Sequence, residues 1–180
     1  MMKEKDGCIF NFGNYKFESF DEEGNIVDRL LPVDFVVETN THLLFIELKN
    51  FDELKNKNNE ETKKHLEIQI ASDLEKLKIK KDKSNKDKVK VFRMEIGGKF
   101  KDSVLRKYIA GYSFNKPVKY IFIFQFYMYA QPEMEKLRED IFHGYIPTFK
   151  EIKNKNLKFE NFEVMNIVKF SETYFPVILK

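Results

Sequence analysis

Short stretches of alternating hydrophobic and polar residues dominate the first 50 residues, and this two-residue period is typical of half-buried β-strands. Residues 16–20 (KFESF) are predicted to form a short strand. The sequence DEEGN at 21–25 contains Gly24 and predicts a turn. Residues 26–31 could continue the sheet as a second arm. The beginning of the chain is therefore expected to be mainly β-structure.

Two longer apolar segments predict a β-hairpin. Pro32 precedes the first segment, residues 33–38, and the polar sequence Thr39-Asn40-Thr41 separates it from the second, residues 42–49. Two apolar runs joined by a short polar turn are typical of an antiparallel strand pair. The two segments are therefore expected to lie side by side.

From residue 59 onward the hydrophobic period changes from 2 to 3.6. Asn59 can cap a helix whose first turn carries two glutamates. Leu66, Ile70, Leu74 and Leu77 then follow at spacings of four, four and three residues, which places them on one helical face. The helix is predicted to end near residue 80, where the lysine-rich sequence KKDKSNKDK predicts a loop.

The middle of the chain predicts a strand, a helix and a second strand. Residues 89–96 are predicted as a strand that ends at Gly97-Gly98. Residues 102–112 are predicted as a helix. Residues 118–129 are apolar at almost every position, which predicts a central strand covered on both faces. The apolar side of the predicted helix consists of Val104, Leu105, Tyr108, Ile109 and Tyr112.

The last part of the chain completes the predicted fold. Pro132 is expected to begin a helix that runs to about His143, and residues 162–170 are expected to form the last strand. The resulting order of elements predicts an α/β or α+β fold, in which helices flank a central mixed β-sheet as a three-layer sandwich. A length of 180 residues matches one domain, so residues 1–180 are expected to form a single domain.

The composition excludes several classes of protein. The chain is 42% hydrophobic and contains 19 Phe, enough for a core, so disorder is not expected. The longest apolar run contains Lys119 and Gln125, so no membrane-spanning segment is predicted. The first residues lack the apolar region of a signal peptide, and the single cysteine, Cys8, can form no internal disulfide. These features predict a cytoplasmic protein that does not contact a membrane.

Positive charge is concentrated in one part of the chain. Residues 76–107 contain 13 Lys or Arg against 4 Asp or Glu, a local charge of +9, and the net charge of +3 leaves −6 for the rest. Such an asymmetry suits a protein that binds a polyanion, although a solvated lysine-rich loop explains it equally well. Lys80, Lys81 and Lys83 are the candidate contacts to nucleic-acid phosphates.

The segment with the clearest potential for chemistry is the predicted hairpin. Asp34 lies on its first strand, while Glu47 and Lys49 lie two residues apart on the second and therefore share one face of the sheet. Across a hairpin, Asp34 and Glu47 can reach one ion, and carboxylate oxygens are preferred ligands of Mg²⁺. A neighbouring ammonium group can orient the attacking water and offset charge on a phosphate.

The acid-x-Lys triplet alone is weak evidence for an active site. Four such triplets occur, ending at Lys49, Lys55, Lys63 and Lys153, and chance predicts roughly five in a chain with this many acids and lysines. The triplet at Lys49 differs from the others because it lies at the end of an apolar strand. It also follows an acid on the preceding apolar strand. Its context therefore identifies the candidate site.

Pro32-Val33-Asp34 followed by Glu47-Leu48-Lys49 resembles the active-site signature of the PD-(D/E)xK nuclease superfamily, which has the restriction-endonuclease-like fold. The family core has an α-β-β-β-α-β order, with the Asp on the second strand and the (D/E)xK on the third. The resemblance implies that Asp34, Glu47 and the Leu48 carbonyl bind Mg²⁺ or Mn²⁺ and that Lys49 is the catalytic lysine. It implies a metal-dependent nuclease, with DNA a more expected substrate than RNA and a homodimer as the plausible assembly.

Several alternatives stay open. Family members often carry a further acid upstream, for which Glu18 and Glu22 are both candidates, and some carry a glutamine on the following helix, where Gln69 is a weak match. A nucleic-acid-binding or protein-assembly module that retains the nuclease fold without cutting is the alternative function. The three histidines have no metal-ligand spacing and there is no second cysteine, so no zinc site is expected.

Overall fold

The fold is described from a computed structural model of the chain. The structure describes residues 1–20, 30, 32–50, 83–125, 135, 138, 139 and 157–179, and for 83–95 it describes the backbone. The elements in these ranges are β1 (Met2–Lys5), β2 (Cys8–Asn11), β3 (Lys16–Ser19), β4 (Phe35–Glu38), β5 (Leu43–Asn50), α1 (Lys83–Ile109), β6 (Val118–Gln125), β7 (Phe159–Met165), α2 (Ile167–Thr173) and β8 (Val177–Leu179).

Five strands form the main sheet, in the order β3-β4-β5-β6-β7. The first three strands are antiparallel neighbours, whereas β5, β6 and β7 run parallel to one another. A mixed sheet of this kind needs a long connection between its parallel strands. Helix α1 lies within the connection from β5 to β6. The prediction of a mixed α/β fold with a mixed central sheet is therefore confirmed.

The predicted hairpin is present as β4 and β5. Phe35 lies opposite Ile46 and Glu38 opposite Leu43, and Thr39 accepts and donates hydrogen bonds with His42 across the turn. The predicted central strand is also confirmed over β6, which lies between β5 and β7 and is buried on both faces. The predicted extension of this strand over 126–129 lies outside the described residues.

A second, three-stranded sheet covers one face of the main sheet. It has the order β1-β2-β8, so the two ends of the described chain meet in it. Phe10 and Phe12 of its β2 region pack on Phe35 with ring centroids 5.1 and 5.3 Å apart, and Phe170 of α2 joins the same core. This face is therefore covered by a small sheet together with a helix, whereas the sequence predicted helices alone.

Helix α1 covers the opposite face, and two predictions made for this segment are wrong. The predicted strand at 89–96 and the described part of the predicted lysine-rich loop, from Lys83 onward, are helical. Ile96 and Phe100 are four residues apart and both are fully buried against the sheet. This packing outweighs the intrinsic helix cost of Gly97 and Gly98, about 1 kcal/mol each, so the glycines do not end the helix.

The predicted helix at 102–112 is the second half of α1, and its predicted apolar side is partly right, because Val104 and Tyr112 pack against the core. Leu105, Tyr108 and Ile109 are 45%, 65% and 61% exposed, while the polar residues Ser103 and Lys107 are buried. The helix ends at Ile109 rather than at Tyr112 because Gly111 has a φ of 75°. The Tyr112 N–H donates to the Lys107 carbonyl, which closes a Schellman motif.

The predicted last strand, 162–170, is half right. Strand β7 ends at Met165, and α2 follows directly. The Asn166 side chain accepts a hydrogen bond from the Lys169 N–H at 2.8 Å, so it caps the helix N-terminus. An asparagine in this position is a signal for a helix N-terminus. The prediction of one strand over 162–170, which used only the apolar residues, overlooked this signal.

The remaining predictions fall on parts of the chain that the structure does not describe. These are the turn at 21–25, the arm at 26–31 except residue 30, and the helix at 59–80. The predicted helix from Pro132 to His143 lies outside as well, apart from residues 135, 138 and 139, which are helical. Within the described ranges, no helix is both long enough and apolar enough to cross a membrane.

Candidate active site

Asp34 and Glu47 lie together at the end of the β4–β5 hairpin that is remote from its turn. The pairing of Phe35 with Ile46, continued by one residue, places Asp34 opposite Glu47. Directly opposed residues share a face of the sheet and have Cβ atoms about 5 Å apart. Both side chains are buried, on the face that α1 covers. The sequence-predicted acidic pair is therefore brought together by the hairpin register.

The Asp34 carboxylate is held from two directions. Its Oδ2 accepts a hydrogen bond from the Leu48 N–H at 2.7 Å, and its Oδ1 lies 3.2 Å from Lys5 Nζ. Lys5 ends β1, and the Asn50 side chain donates to the Asp6 carbonyl at 2.8 Å in the turn that follows. The end of β5 thus anchors the β1–β2 turn and brings Lys5 to the acid.

Glu47 is fully buried, and its carboxylate faces lysines. Lys99 Nζ of α1 lies 2.9 Å from Glu47 Oε1, and Lys49 Nζ lies 3.4 Å from the same oxygen. Among the described residues, neither carboxylate oxygen of Glu47 has a hydrogen-bond partner, and both of these ammonium contacts are to Oε1 rather than to Oε2. A buried carboxylate oxygen without a partner is unfavourable, so Oε2 is the atom of this site most in need of a ligand.

Burial raises the pKa of Glu47 to about 7, and the negative charge of Asp34 adds to the effect. The ammonium groups of Lys99 and Lys49 oppose this rise because they favour the ionised carboxylate. The two lysines therefore do not compensate fully for desolvation and for the neighbouring acid. The protein holds at Glu47 a carboxyl group that a cation would help to ionise.

Lys49 and Leu48 take the positions that the strand period predicts. Lys49 shares the face of Glu47 and is partly exposed, whereas Leu48 is buried on the opposite face. The Leu48 main chain nevertheless contributes to the site, because its N–H holds Asp34. The lysine can reach both the buried acid and the solvent.

The other acids and lysines singled out in the sequence do not join this cluster in the described part of the chain. Glu18, on β3, pairs with Lys107 of α1 at 2.5 Å. Lys83 is the first residue of α1 and its side chain is not described. The structure does not describe Glu22, Gln69, Lys80 or Lys81.

Sequence reasoning missed Lys99, Ser103 and Lys5. The Ser103 hydroxyl donates to the Lys99 carbonyl at 2.7 Å and accepts from the Val33 N–H at 2.8 Å, so it joins α1 to the residue before Asp34. A helical period over 96–107 would have placed Lys99 and Ser103 on the buried side with Phe100. Lys5 carries no comparable signal, because its contact with Asp34 arises between two separate sheets.

The residues of the pair fit a divalent metal ion in part. Within the described residues, no group of three or more His, Cys, Asp or Glu side chains lies together in a way that could hold a metal. Two carboxylates, one with an unpartnered buried oxygen, are nevertheless a minimal set to which water and main-chain carbonyls can add. The same pair can alternatively remain an internal acid–lysine network.

The fold and site define a mixed α/β protein with a buried acidic pair among three lysines at one end of a β-hairpin. Comparisons with protein-family models, with curated proteins and with solved structures found no match. The functional argument therefore depends on the residues of this chain.

Proposed function

We propose that this protein is a metal-dependent nuclease of the PD-(D/E)xK type, which hydrolyses phosphodiester bonds of nucleic acid, DNA more than RNA. The observation that carries the proposal is the opposed, buried pair Asp34 and Glu47, in which Glu47 Oε2 lacks a partner among the described residues. A buried carboxylate oxygen without a hydrogen-bond partner is easiest to explain if the oxygen binds a ligand.

The order of the described strands supports a restriction-endonuclease-like fold. In that family, the Asp lies on the second core strand and the (D/E)xK on the third, and a helix leads to the fourth core strand of a mixed sheet. Here β3, β4 and β5 are antiparallel, α1 follows, and β6 is parallel to β5. Asp34 immediately precedes β4, while Glu47 and Lys49 lie on β5.

Asp34, Glu47 and the Leu48 carbonyl would hold Mg²⁺ or Mn²⁺ in this proposal. When bound, such an ion lowers the pKa of a water molecule and neutralises charge on the phosphate. The part of the protein in the reaction is to fix the acids: the Leu48 N–H and Lys5 orient Asp34, and the fold holds Glu47 opposite it. Lys49, partly exposed beside Glu47, would face the phosphate and offset the charge that develops there.

A cleavage assay tests the proposal. Purified protein is incubated with supercoiled plasmid, linear duplex, single-stranded DNA and RNA, in Mg²⁺, Mn²⁺ or EDTA. We expect metal-dependent cleavage, and a loss of about 100-fold or more in Asp34→Ala and Lys49→Ala, because losing even an outer partner of a metal site costs 10–100-fold. Glu172→Gln, an exposed acid on α2, is the matched control.

Cleavage that persists in both Asp34→Ala and Lys49→Ala would contradict the proposed site. Circular dichroism of each variant shows whether it is folded, so that a loss of activity is not mistaken for unfolding. The plasmid and oligonucleotide arms separate endonucleolytic from exonucleolytic cutting. Size-exclusion chromatography with light scattering tests the expected homodimer.

A non-catalytic nucleic-acid-binding or protein-assembly module is the second candidate function. Three ammonium groups already contact the acidic pair, from Lys5, Lys49 and Lys99, so the cluster has charge partners without any ion. Calorimetric titration with Mn²⁺ and Ca²⁺ distinguishes the two functions. Binding that Asp34→Ala removes favours the nuclease, and no binding at all favours the module.

A further inference from the structure

A groove lies along the outer side of β3, the edge strand of the main sheet in the described part of the chain. It has a volume of about 910 Å³ and opens to solvent. The C-terminal part of α1 forms one wall, and β1 with the residue before it forms the other. Neither Asp34 nor Glu47 is among its described lining residues, so the groove is distinct from the acidic pair.

The charged side chains among the described lining residues of the groove are predominantly basic. Lys3, Lys16, Arg106 and Lys107 line it, and Glu18 is the one acid among the lining residues that the structure describes. Glu18 is paired with Lys107, and Lys3, Lys16 and Arg106 are the other three basic residues of the groove. Arg106 lies over the Phe20 ring, 4.4 Å from its centroid, which holds its guanidinium in place.

The groove leads toward the acidic pair along β1 and at the end of β3. On β1, Lys3 and Lys5 share the half-buried face of the strand; Lys3 lines the groove, whereas Lys5 contacts Asp34. Directly after β3, the Phe20 N–H donates to the Asp34 carbonyl at 3.2 Å.

We propose that this groove, through Lys3, Lys16 and Arg106, binds the phosphate backbone of a nucleic-acid strand next to the phosphate that lies at Asp34 and Glu47. The direction of the bound strand relative to Asp34 and Glu47 rests on the proposed function. The substrate class is then a polynucleotide that the protein holds on both sides of the reacting bond. Contacts of this kind position a strand without reading its sequence.

The alternative occupant is an acidic peptide that adds to β3 as a further strand. The charges of the groove would attract either ligand, but only a polynucleotide explains why the basic residues lead to a pair of carboxylates that could hold a metal. Lys3 and Lys5 lie on the same face of β1, so their ammonium groups lead from the groove to the acidic pair. The observations therefore favour nucleic acid.

Fluorescence anisotropy in EDTA tests this inference without cleavage. Labelled single-stranded and duplex DNA are titrated with wild-type protein and with the Lys3→Gln/Lys16→Gln double variant at about 50 to 200 mM KCl. We expect binding to weaken on the order of tenfold and the slope of log K against log salt to become shallower by about 1.4 to 1.8. The Lys158→Gln/Lys169→Gln variant removes equal charge from exposed positions outside the groove and should bind like wild type.

An unchanged slope and affinity in the Lys3/Lys16 variant would overturn the inference, as would an equal loss in the control variant. Competition at fixed ionic strength identifies the ligand. Displacement of DNA by inorganic phosphate or by a poly-glutamate peptide, as effective as by unlabelled DNA, would also overturn it. A groove variant that binds weakly while wild type cleaves nothing would leave the inference standing and remove the proposed nuclease function. Metal-dependent cleavage by wild type, together with DNA binding by the Lys3/Lys16 variant that equals wild type, would overturn the inference and support the nuclease function.

Discussion

Helix α1 makes two ion pairs with acids of the main sheet, eight residues apart, and the two pairs differ in their surroundings. Lys99 contacts Glu47, which is completely buried, whereas Lys107 contacts Glu18, whose side chain is 42% exposed. Glu47 also faces Asp34, and its Oε2 lacks a partner among the described residues. Glu18 can complete its interactions with water, which Glu47 cannot.

The same pair of residue types lies in two different environments. At Glu18 the acid is near solvent and the lysine is covered, and the ring of Tyr112 lies 4.7 Å from Lys107 Nζ. At Glu47 the acid is covered and destabilised by its surroundings. Burial without full compensation is typical of a site that waits for a ligand, whereas a hydrated pair is typical of a structural contact.

Removing the helix lysine from each pair should give the largest difference. Lys99→Met leaves Glu47 buried with less positive charge nearby, and we expect the free energy of unfolding at about pH 8 to fall by about 3 kcal/mol or more. Lys107→Met should lower it by no more than about 1 kcal/mol, because the remaining Glu18 is hydrated. Urea denaturation of both variants measures the difference. Equal losses would show that the two pairs do not differ in the proposed way.

The stability of the protein should depend on pH through Glu47. Its folded pKa of about 7 lies above the ordinary value of 4.5, so between these values the folded state binds more protons than the unfolded state. The free energy of unfolding should therefore fall as pH rises from about 4.5 to 7, by up to about 3 kcal/mol, and then level off. Urea denaturation from about pH 5 to 8 follows this loss.

Two variants and one ion isolate the contribution of Glu47 to that pH dependence. Glu47→Gln should remove the falling component, whereas Glu18→Gln should retain it. If the acidic pair binds Mn²⁺, the ion should restore stability more at about pH 8 than at about pH 5, because binding requires the ionised carboxylate. A falling component that survives in Glu47→Gln would assign it to another group.

Two glycines along α1 should give the smallest effects, of opposite sign. Gly98 precedes Lys99 inside the helix, and no atom lies within 4 Å of the position that a Cβ would take. Gly98→Ala should therefore raise the free energy of unfolding by about 0.5–1 kcal/mol. Gly111→Ala should lower it by about 1 kcal/mol, because φ is 75° there. Thermal unfolding of both variants measures the effects, and stabilisation by Gly111→Ala would contradict the helix end described here.

Much of the acidic pair could be predicted because it depends on local information. The apolar runs and the turn between them predict the hairpin, and the strand period places Glu47 and Lys49 on one face. The course of α1 could not be predicted from the same kind of pattern. Paired glycines and β-branched residues favour a strand ending near residue 97, while burial of Ile96 and Phe100 against the sheet makes the segment helical.

The sequence by itself determined the mixed fold class, the β4–β5 hairpin and the pairing of Asp34 with Glu47, since each follows from residues close together along the chain. Only the tertiary structure decided which lysines approach that pair and where a basic groove opens. Lys5 and Lys99 lie 29 and 65 residues from Asp34 along the chain, and they meet the pair only because β1 and α1 pack at the same end of the hairpin. Contacts between distant segments depend on tertiary packing, which the local hydrophobic period of the sequence does not predict.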